Sequence, residues 1–228
     1  MRVGGGANPL VVALDVSDLA RAEALAAALA NEVGLLKVGL ELFTAAGPEA
    51  SQRIRGHAPV FLDLKLHDIP TTVGRAARNA GRLGPTLLTI HSLGGPAMVE
   101  AAVRESAAGA KEAGFDPPAV LAVTVLSSVG GESLASPSSL AFEAVAAGAA
   151  GVVVSGDDVK DVRDVLGDEP VILVPGVRPA GAPSNDHVRA LTPREAIEAG
   201  GDYLVVGRPV TDAPDPAAAA RGVLADLR

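Results

Sequence analysis

Asp63, Lys65 and Asp68 put two carboxylates around one lysine within six residues, in the segment Phe61-Leu62-Asp63-Leu64-Lys65-Leu66-His67-Asp68-Ile69-Pro70-Thr71-Thr72. Carboxylates beside an ammonium group keep it charged, and such a set is a candidate for acid–base chemistry. Residues two apart on a strand share a face, so Asp63 and Lys65 are expected to look the same way. A solvated surface ion pair, worth about 0–1 kcal/mol, is the plain alternative. It fits poorly, because Phe61, Leu62, Leu64 and Leu66 mark the segment as mostly buried. Buried charges are seldom tolerated unpaired, and paired ones are often functional.

The other candidate groups are scattered. His57, His67, His91 and His187 form no metal-ligand pattern, and no HExxH occurs. Asp15, Asp63 and Asp68 supply oxygens that suit a hard cation. Lys65, between two of them, fills the place such a cation would take, so no metal site is expected. With no cysteine in the chain, disulfides and thiolate metal sites are excluded.

Positioning these groups requires a scaffold, and its period is visible. Apolar strands are predicted at residues 10–15, 35–39, 86–91, 119–125, 151–155, 171–175 and 203–207, with one more starting at Phe61 and broken by Pro70. Helices are predicted from a Ser17 or Asp18 cap to residue 31, then over 48–56, 70–82, 96–112, 137–147, 157–166 and 193–199, and from 216 to the end. Strands that are apolar throughout and alternate with helices indicate a parallel sheet covered by helices. Eight such units predict an α/β fold, a single (β/α)₈ TIM barrel domain spanning residues 1–228. A doubly wound open sheet is the alternative. No GxGxxG follows the first strand, so its nucleotide-binding form loses support.

Barrels of this kind work at the C-terminal ends of their strands. Those ends carry Asp15, Lys37, Asp63 with Lys65, His91, the stretch from Thr124 to Ser127, Pro175-Gly176 and Gly207-Arg208. All would converge on one mouth. Pro175-Gly176-Val177-Arg178 and Gly207-Arg208-Pro209 follow the seventh and eighth strands, where barrels often bind phosphate. Glycine lets backbone N–H groups approach, and arginine offers an always-charged planar fork.

Composition narrows the partners. The net charge of −8 argues against nucleic acid and anionic membrane surfaces, so an anionic ligand must find its cations concentrated locally. Aromatics make up only 2% of the chain, which leaves the core to Ala, Val, Leu and Ile. The apolar runs are strand-sized, so no membrane span is expected. Residues 1–9 lack a signal-peptide apolar region and read as a short flexible leader. A cytoplasmic location agrees with these features.

The Asp-x-Lys-x-x-Asp core followed by Ile69-Pro70-Thr71-Thr72 closely resembles the signature of the orotidine 5′-phosphate decarboxylase family. The likeness extends along nearly the whole chain, through residues 12–15, 36–39, 123–127, 175–179 and 206–210 in order. It implies cofactor-free decarboxylation of orotidine 5′-monophosphate (OMP) to uridine 5′-monophosphate (UMP) in de novo pyrimidine synthesis. Lys65 resembles the proton donor to C6, while Asp63 and Asp68 resemble the carboxylates that hold it charged and crowd the substrate carboxylate. In the family the second aspartate and the residue at Thr72 reach the neighbouring subunit's site, which implies an obligatory homodimer. By the same resemblance Asp15 and Lys37 bind the ribose hydroxyls, Ser127 contacts the pyrimidine, and Arg178, Gly207 and Arg208 bind phosphate. The loop over residues 176–191 would close over the ligand. Nine positions after Arg178, where the family usually carries Gln, stands His187. Imidazole cannot copy the paired donor and acceptor of an amide, and phosphate binding there would depend on pH.

Two other functions share parts of this pattern. A related barrel using Mg²⁺ on a sugar phosphate, such as a keto-sugar-phosphate decarboxylase or hexulose-phosphate synthase, has the Asp-x-Lys-x-x-Asp core. A non-catalytic phosphate-ligand barrel has no need of carboxylates beside an anion.

Overall fold

The computed structural model describes residues 8–125, 136–179 and 191–227. Eight parallel strands close into a barrel in sequence order: β1 (Leu10–Ala13), β2 (Leu35–Gly39), β3 (Val60–Leu66), β4 (Leu87–His91), β5 (Ala119–Val123), β6 (Gly151–Val153), β7 (Val171–Val174) and β8 (Tyr203–Val206). Around it run α1 (Leu19–Leu29), α2 (Leu40–Ala46), α3 (Pro48–Arg55), α4 (Pro70–Gly81), α5 (Pro96–Glu112), α6 (Pro137–Ala146), α7 (Asp158–Leu166), α8 (Pro193–Glu198), α9 (Arg208–Thr211) and α10 (Pro216–Ala225). The β8–β1 pairing, Val11 against Val205, closes the sheet and excludes the doubly wound alternative.

The uniformly apolar strands reflect burial on both faces. Alternate residues divide into two cores. Val11, Ala13, Leu35, Phe61, Leu87, Leu121, Val123, Val153, Leu173, Tyr203 and Val205 fill the barrel interior. Their neighbours, including Val12, Leu36, Leu62, Leu88, Ile172 and Leu204, pack outward against the helices. On β2, β3 and β4 the inward sequence continues one step further into polar residues: Lys37, Asp63 and Thr89, all buried. The apolar interior thus ends in a charged layer at the C-terminal mouth.

Helix starts follow local chemistry. Asp18 caps α1, its side chain accepting the Ala20 N–H, while Thr192 and Glu195 form a reciprocal capping box on α8. Proline occupies the first turn of α3, α4, α5, α6, α8, α9 and α10, where its missing N–H costs nothing. Helix α4, which follows the Asp63–Asp68 segment directly, lies close against α5. A Cβ on Gly81 or on Gly109 would run into the backbone of the facing helix.

Two short helices were not expected from sequence. Helix α2 leaves β2 with no capping side chain, and Gly47, at φ +63, separates it from α3. Helix α9 begins at Arg208 immediately after β8. No helix among the described residues is long and apolar enough to cross a membrane.

Candidate active site

Strand β3 does not run regularly to its end. Its pairing with β4 passes from Leu62↔Leu88 to Leu66↔Ile90, four residues on β3 (66 − 62) against two on β4 (90 − 88). The excess forms a bulge containing Asp63, Leu64 and Lys65. Within it Lys65 takes φ +48, the only positive φ at a non-glycine residue among the described positions. Left-handed backbone at a side chain of this size costs on the order of 1–2 kcal/mol and tends to mark functional sites. Asp63 and Lys65 do face the same way, as expected, but through this distortion and not through a regular pleat.

The charges form a row. Asp15 Oδ1 accepts from Lys37 Nζ at 2.8 Å, Lys37 Nζ lies 3.6 Å from Asp63 Oδ2, and Lys65 Nζ donates to the same Oδ2 at 2.6 Å. Signs alternate along three neighbouring strands, so each inner charge has an opposite charge on either side. Burial by itself pushes the Asp63 carboxyl up. The positive charges of Lys37 and Lys65, with hydrogen bonds from Lys65 and Thr89, outweigh burial and hold it below the usual carboxylate range.

Asp15, Lys37, Asp63, Lys65, Arg178, Gly207 and Arg208 all line one cavity of about 600 Å³ at the mouth. Lys37, Asp63 and Lys65 sit at the β2–β3 side, while Arg178, Gly207 and Arg208 come from the segments after β7 and β8. Between them run Val123, Val125, Val153, Leu173 and Val205, an apolar wall. Such a cavity suits an elongated ligand with a flat apolar middle and an anionic end.

The remaining sequence-predicted residues stand apart. Asp68 and Thr72 are exposed and lie outside this cavity, with the Asp68 carboxylate accepting the Ile69 N–H at 2.7 Å. Lys65 is adjacent to both carboxylates in sequence, but in space only Asp63 of its own chain holds it among the described residues. Ser127 and His187, and most of the 176–191 loop, lie outside the described residues. His91 is not at the cavity. Its ring stacks on His67 with centroids 5.2 Å apart, and burial, then the charges of His67 and Lys65, lowers its pKa. No three His, Asp or Glu side chains among the described residues come together as a metal site.

Sequence reasoning missed Thr89, whose hydroxyl donates to Asp63 Oδ1 at 2.8 Å. The available signal was its position two residues before His91 on a strand whose alternate residues point inward. It also missed Arg21, Glu41 and Asp212 at the cavity rim, where Arg21 pairs with Asp212 at 3.6 Å. Arg21 and Glu41 sit on α1 and α2 and Asp212 just past the end of α9, and nothing in their spacing points to the mouth.

Residues 8–223 match the model of the orotidine 5′-phosphate decarboxylase / HUMPS family. The chain belongs to that family. It is 52% identical to the orotidine 5′-phosphate decarboxylase of Anaeromyxobacter dehalogenans, over 96% of this chain and 97% of that one. The orotidine 5′-phosphate decarboxylase of Moorella thermoacetica is 46% identical, over 96% and 92%. Among solved structures, that of orotidine 5′-phosphate decarboxylase from Lactobacillus acidophilus superposes with a TM-score of 0.82 at 34% identity, covering 97% of this chain and 99% of the other. The family expected from the Asp63–Thr72 segment and the barrel expected from the eight strand–helix units are thereby established.

Proposed function

We propose that this chain decarboxylates OMP to UMP and CO₂ without a cofactor, as a step of de novo pyrimidine synthesis in the cytoplasm. Residues 1–228 act as one barrel domain. The observation that carries the proposal is the alternating charge row ending at Lys65, set across an apolar wall from Arg178 and Arg208. Neither a phosphate-binding site nor a sugar-binding site requires a buried carboxylate wedged between two ammonium groups.

The chemistry follows from the charges. When the C6–carboxylate bond breaks, its electron pair stays on C6 and CO₂ departs. The Lys65 ammonium, next to that carbon, stabilises the developing charge and then delivers its proton to C6; water restores the lysine. Asp63 keeps Lys65 oriented, and its own negative charge disfavours the substrate carboxylate more than the transition state that has lost it. A cation about 4 Å from a unit negative charge contributes roughly 4 kcal/mol at an effective dielectric of 20. Enzymes supply about 8–23 kcal/mol in all, so Lys65 alone is insufficient and the rest comes from preorganised charges and remote binding energy.

Asp15 and Lys37 bind the ribose hydroxyls, Ser127 and His187 contact the pyrimidine and phosphate ends, and Arg178, Arg208 and the Gly207 backbone hold the phosphate. Asp68 and Thr72 serve the site of a second copy of the chain. Their exposure supports this, as does Ile69 between them, an aliphatic side chain 66% exposed beside the mouth. Neither nucleic acid nor membrane takes part.

The test is loss of OMP ultraviolet absorbance on adding purified protein in the presence of EDTA. Turnover undiminished by EDTA is expected. No turnover of OMP would sink the proposal, and turnover of a hexulose phosphate with Mg²⁺ instead would place the chain with the sugar-phosphate enzymes.

A further inference from the structure

Thr89 is fully buried on the inner face of β4, level with the bulge in β3. Its single hydroxyl makes two hydrogen bonds: Oγ1 accepts the Lys65 backbone N–H at 3.0 Å and donates to Asp63 Oδ1 at 2.8 Å. A backbone N–H only donates and an ionised carboxylate only accepts, so the hydroxyl proton has one orientation, toward Asp63. The bulge takes the Lys65 N–H out of the β3–β4 ladder, and Thr89 supplies the acceptor it would otherwise lack. The other oxygen of Asp63, Oδ2, is the one that receives Lys65 Nζ. One hydroxyl therefore grips the lysine at its backbone and, through Asp63, at its ammonium. Threonine suits this position because β-branching restricts χ1 and so fixes where Oγ1 sits.

We propose that Thr89 is the positioning residue for Lys65, fixing both the left-handed backbone from which the lysine departs and the carboxylate that aims its ammonium. This rests on Lys65 being the proton donor. Thr89 does not line the cavity; it acts through Asp63 and Lys65. Its hydrogen bond to Asp63 also favours the ionised carboxylate, so losing it shifts the acid side of the activity profile.

The experiment compares OMP turnover by the wild type, Thr89→Val, Thr89→Ser and Lys65→Ala, together with UMP binding. Thr89→Val keeps the shape and removes both hydrogen bonds. It is expected to lower kcat by on the order of 100-fold, the scale of an ångström-level misplacement, while UMP binding stays close to wild type. The acid limb of its kcat–pH profile moves to higher pH, because the Asp63 carboxylate loses a donor. Thr89→Ser, which retains the hydroxyl, recovers most of the rate and the wild-type limb. If Thr89→Val does not fold, Thr89→Ala is measured in its place with the same expectations. Wild-type kcat and limb in the hydroxyl-free variant, with Lys65→Ala inactive, would overturn the role of Thr89 and leave Lys65 in place. A loss of rate that Ser does not recover, with the limb unmoved, would reduce Thr89 to a packing residue. Wild-type turnover by Lys65→Ala would overturn the proton-donor role itself.

Discussion

Asp63→Asn removes one negative charge from between two ammonium groups and changes almost no volume. In the wild type Asp63 Oδ2 lies 2.6 Å from Lys65 Nζ and 3.6 Å from Lys37 Nζ. At an effective dielectric of 20, a pair of unit charges at the longer distance attracts by about 5 kcal/mol before desolvation is counted. Burying the carboxylate returns several kcal/mol of that as a penalty. Removing one member of a buried pair typically costs about 3–5 kcal/mol, because the other charge is left without compensation. Here Lys37 keeps Asp15 at 2.8 Å, and the Lys65 side chain is 31% exposed and so partly solvated. The expected loss is thus at the lower end, about 3 kcal/mol, equivalent to roughly 6–12 °C in Tm for a domain of this size. The amide worsens matters locally by turning an N–H₂ donor or a weaker oxygen toward the lysines. Urea and thermal unfolding of both proteins measure the difference. Its pH dependence is also determined. Asp63 titrates lower in the fold than in the unfolded chain, so its contribution is complete above the ordinary value near 3.8 and is lost as pH falls through the folded value. The gap between the two proteins should be flat from pH 8 to pH 5.5 and shrink only in stronger acid. Equal or greater stability of Asp63→Asn at pH 7, or a gap that widens on acidification, would refute this electrostatic account.

Two further outcomes follow from the geometry. Gly39→Ala places a methyl group 2.6 Å from Lys37 Nζ and 3.1 Å from Asp15 Oδ1. Lys37 must shift, so KM for OMP should rise roughly 10-fold, the scale of one lost charge-assisted hydrogen bond, while thermal stability changes little; an unchanged KM would remove Asp15 and Lys37 from ribose binding. Mixing inactive Asp68→Ala and Lys65→Ala proteins should restore part of the activity, because one of the two sites in each mixed dimer would regain both residues; no recovery after verified subunit exchange would argue against a shared site.

Much of the scaffold was legible because each strand is buried on both faces and therefore written as an uninterrupted apolar run. Residues 35–39 and 96–112 form the expected strand and helix with unchanged ends. Strand termini were less legible. Val125, Ser155, Pro175 and Gly207 continue the apolar or small-residue pattern but lie beyond the last paired residues of β5, β6, β7 and β8. Helix α2 was hidden because it starts without a capping side chain, and α9 because four residues are too few for any periodicity. At the site, Asp63, Lys65, Lys37, Asp15 and Arg208 were readable from charge at the end of a buried strand. The second cationic partner of Asp63 was not. That Lys37 lies 3.6 Å away depends on the stagger of β2 against β3, which no local pattern encodes. Thr89 was invisible for a related reason: a lone threonine in a strand is ordinary, and its role arises only from the bulge opposite. Asp68 is only three residues from Lys65 in sequence, but its side chain is exposed and lies outside the cavity, a placement no local pattern encodes.

Whether Lys65 carries the chemistry is measured most directly by turnover of OMP by Lys65→Ala alongside its affinity for UMP. The expected result is a folded protein that binds UMP and whose kcat has fallen by at least ~10⁴-fold, the combined scale of lost proton transfer and lost charge stabilisation. A kcat near that of the wild type would contradict it.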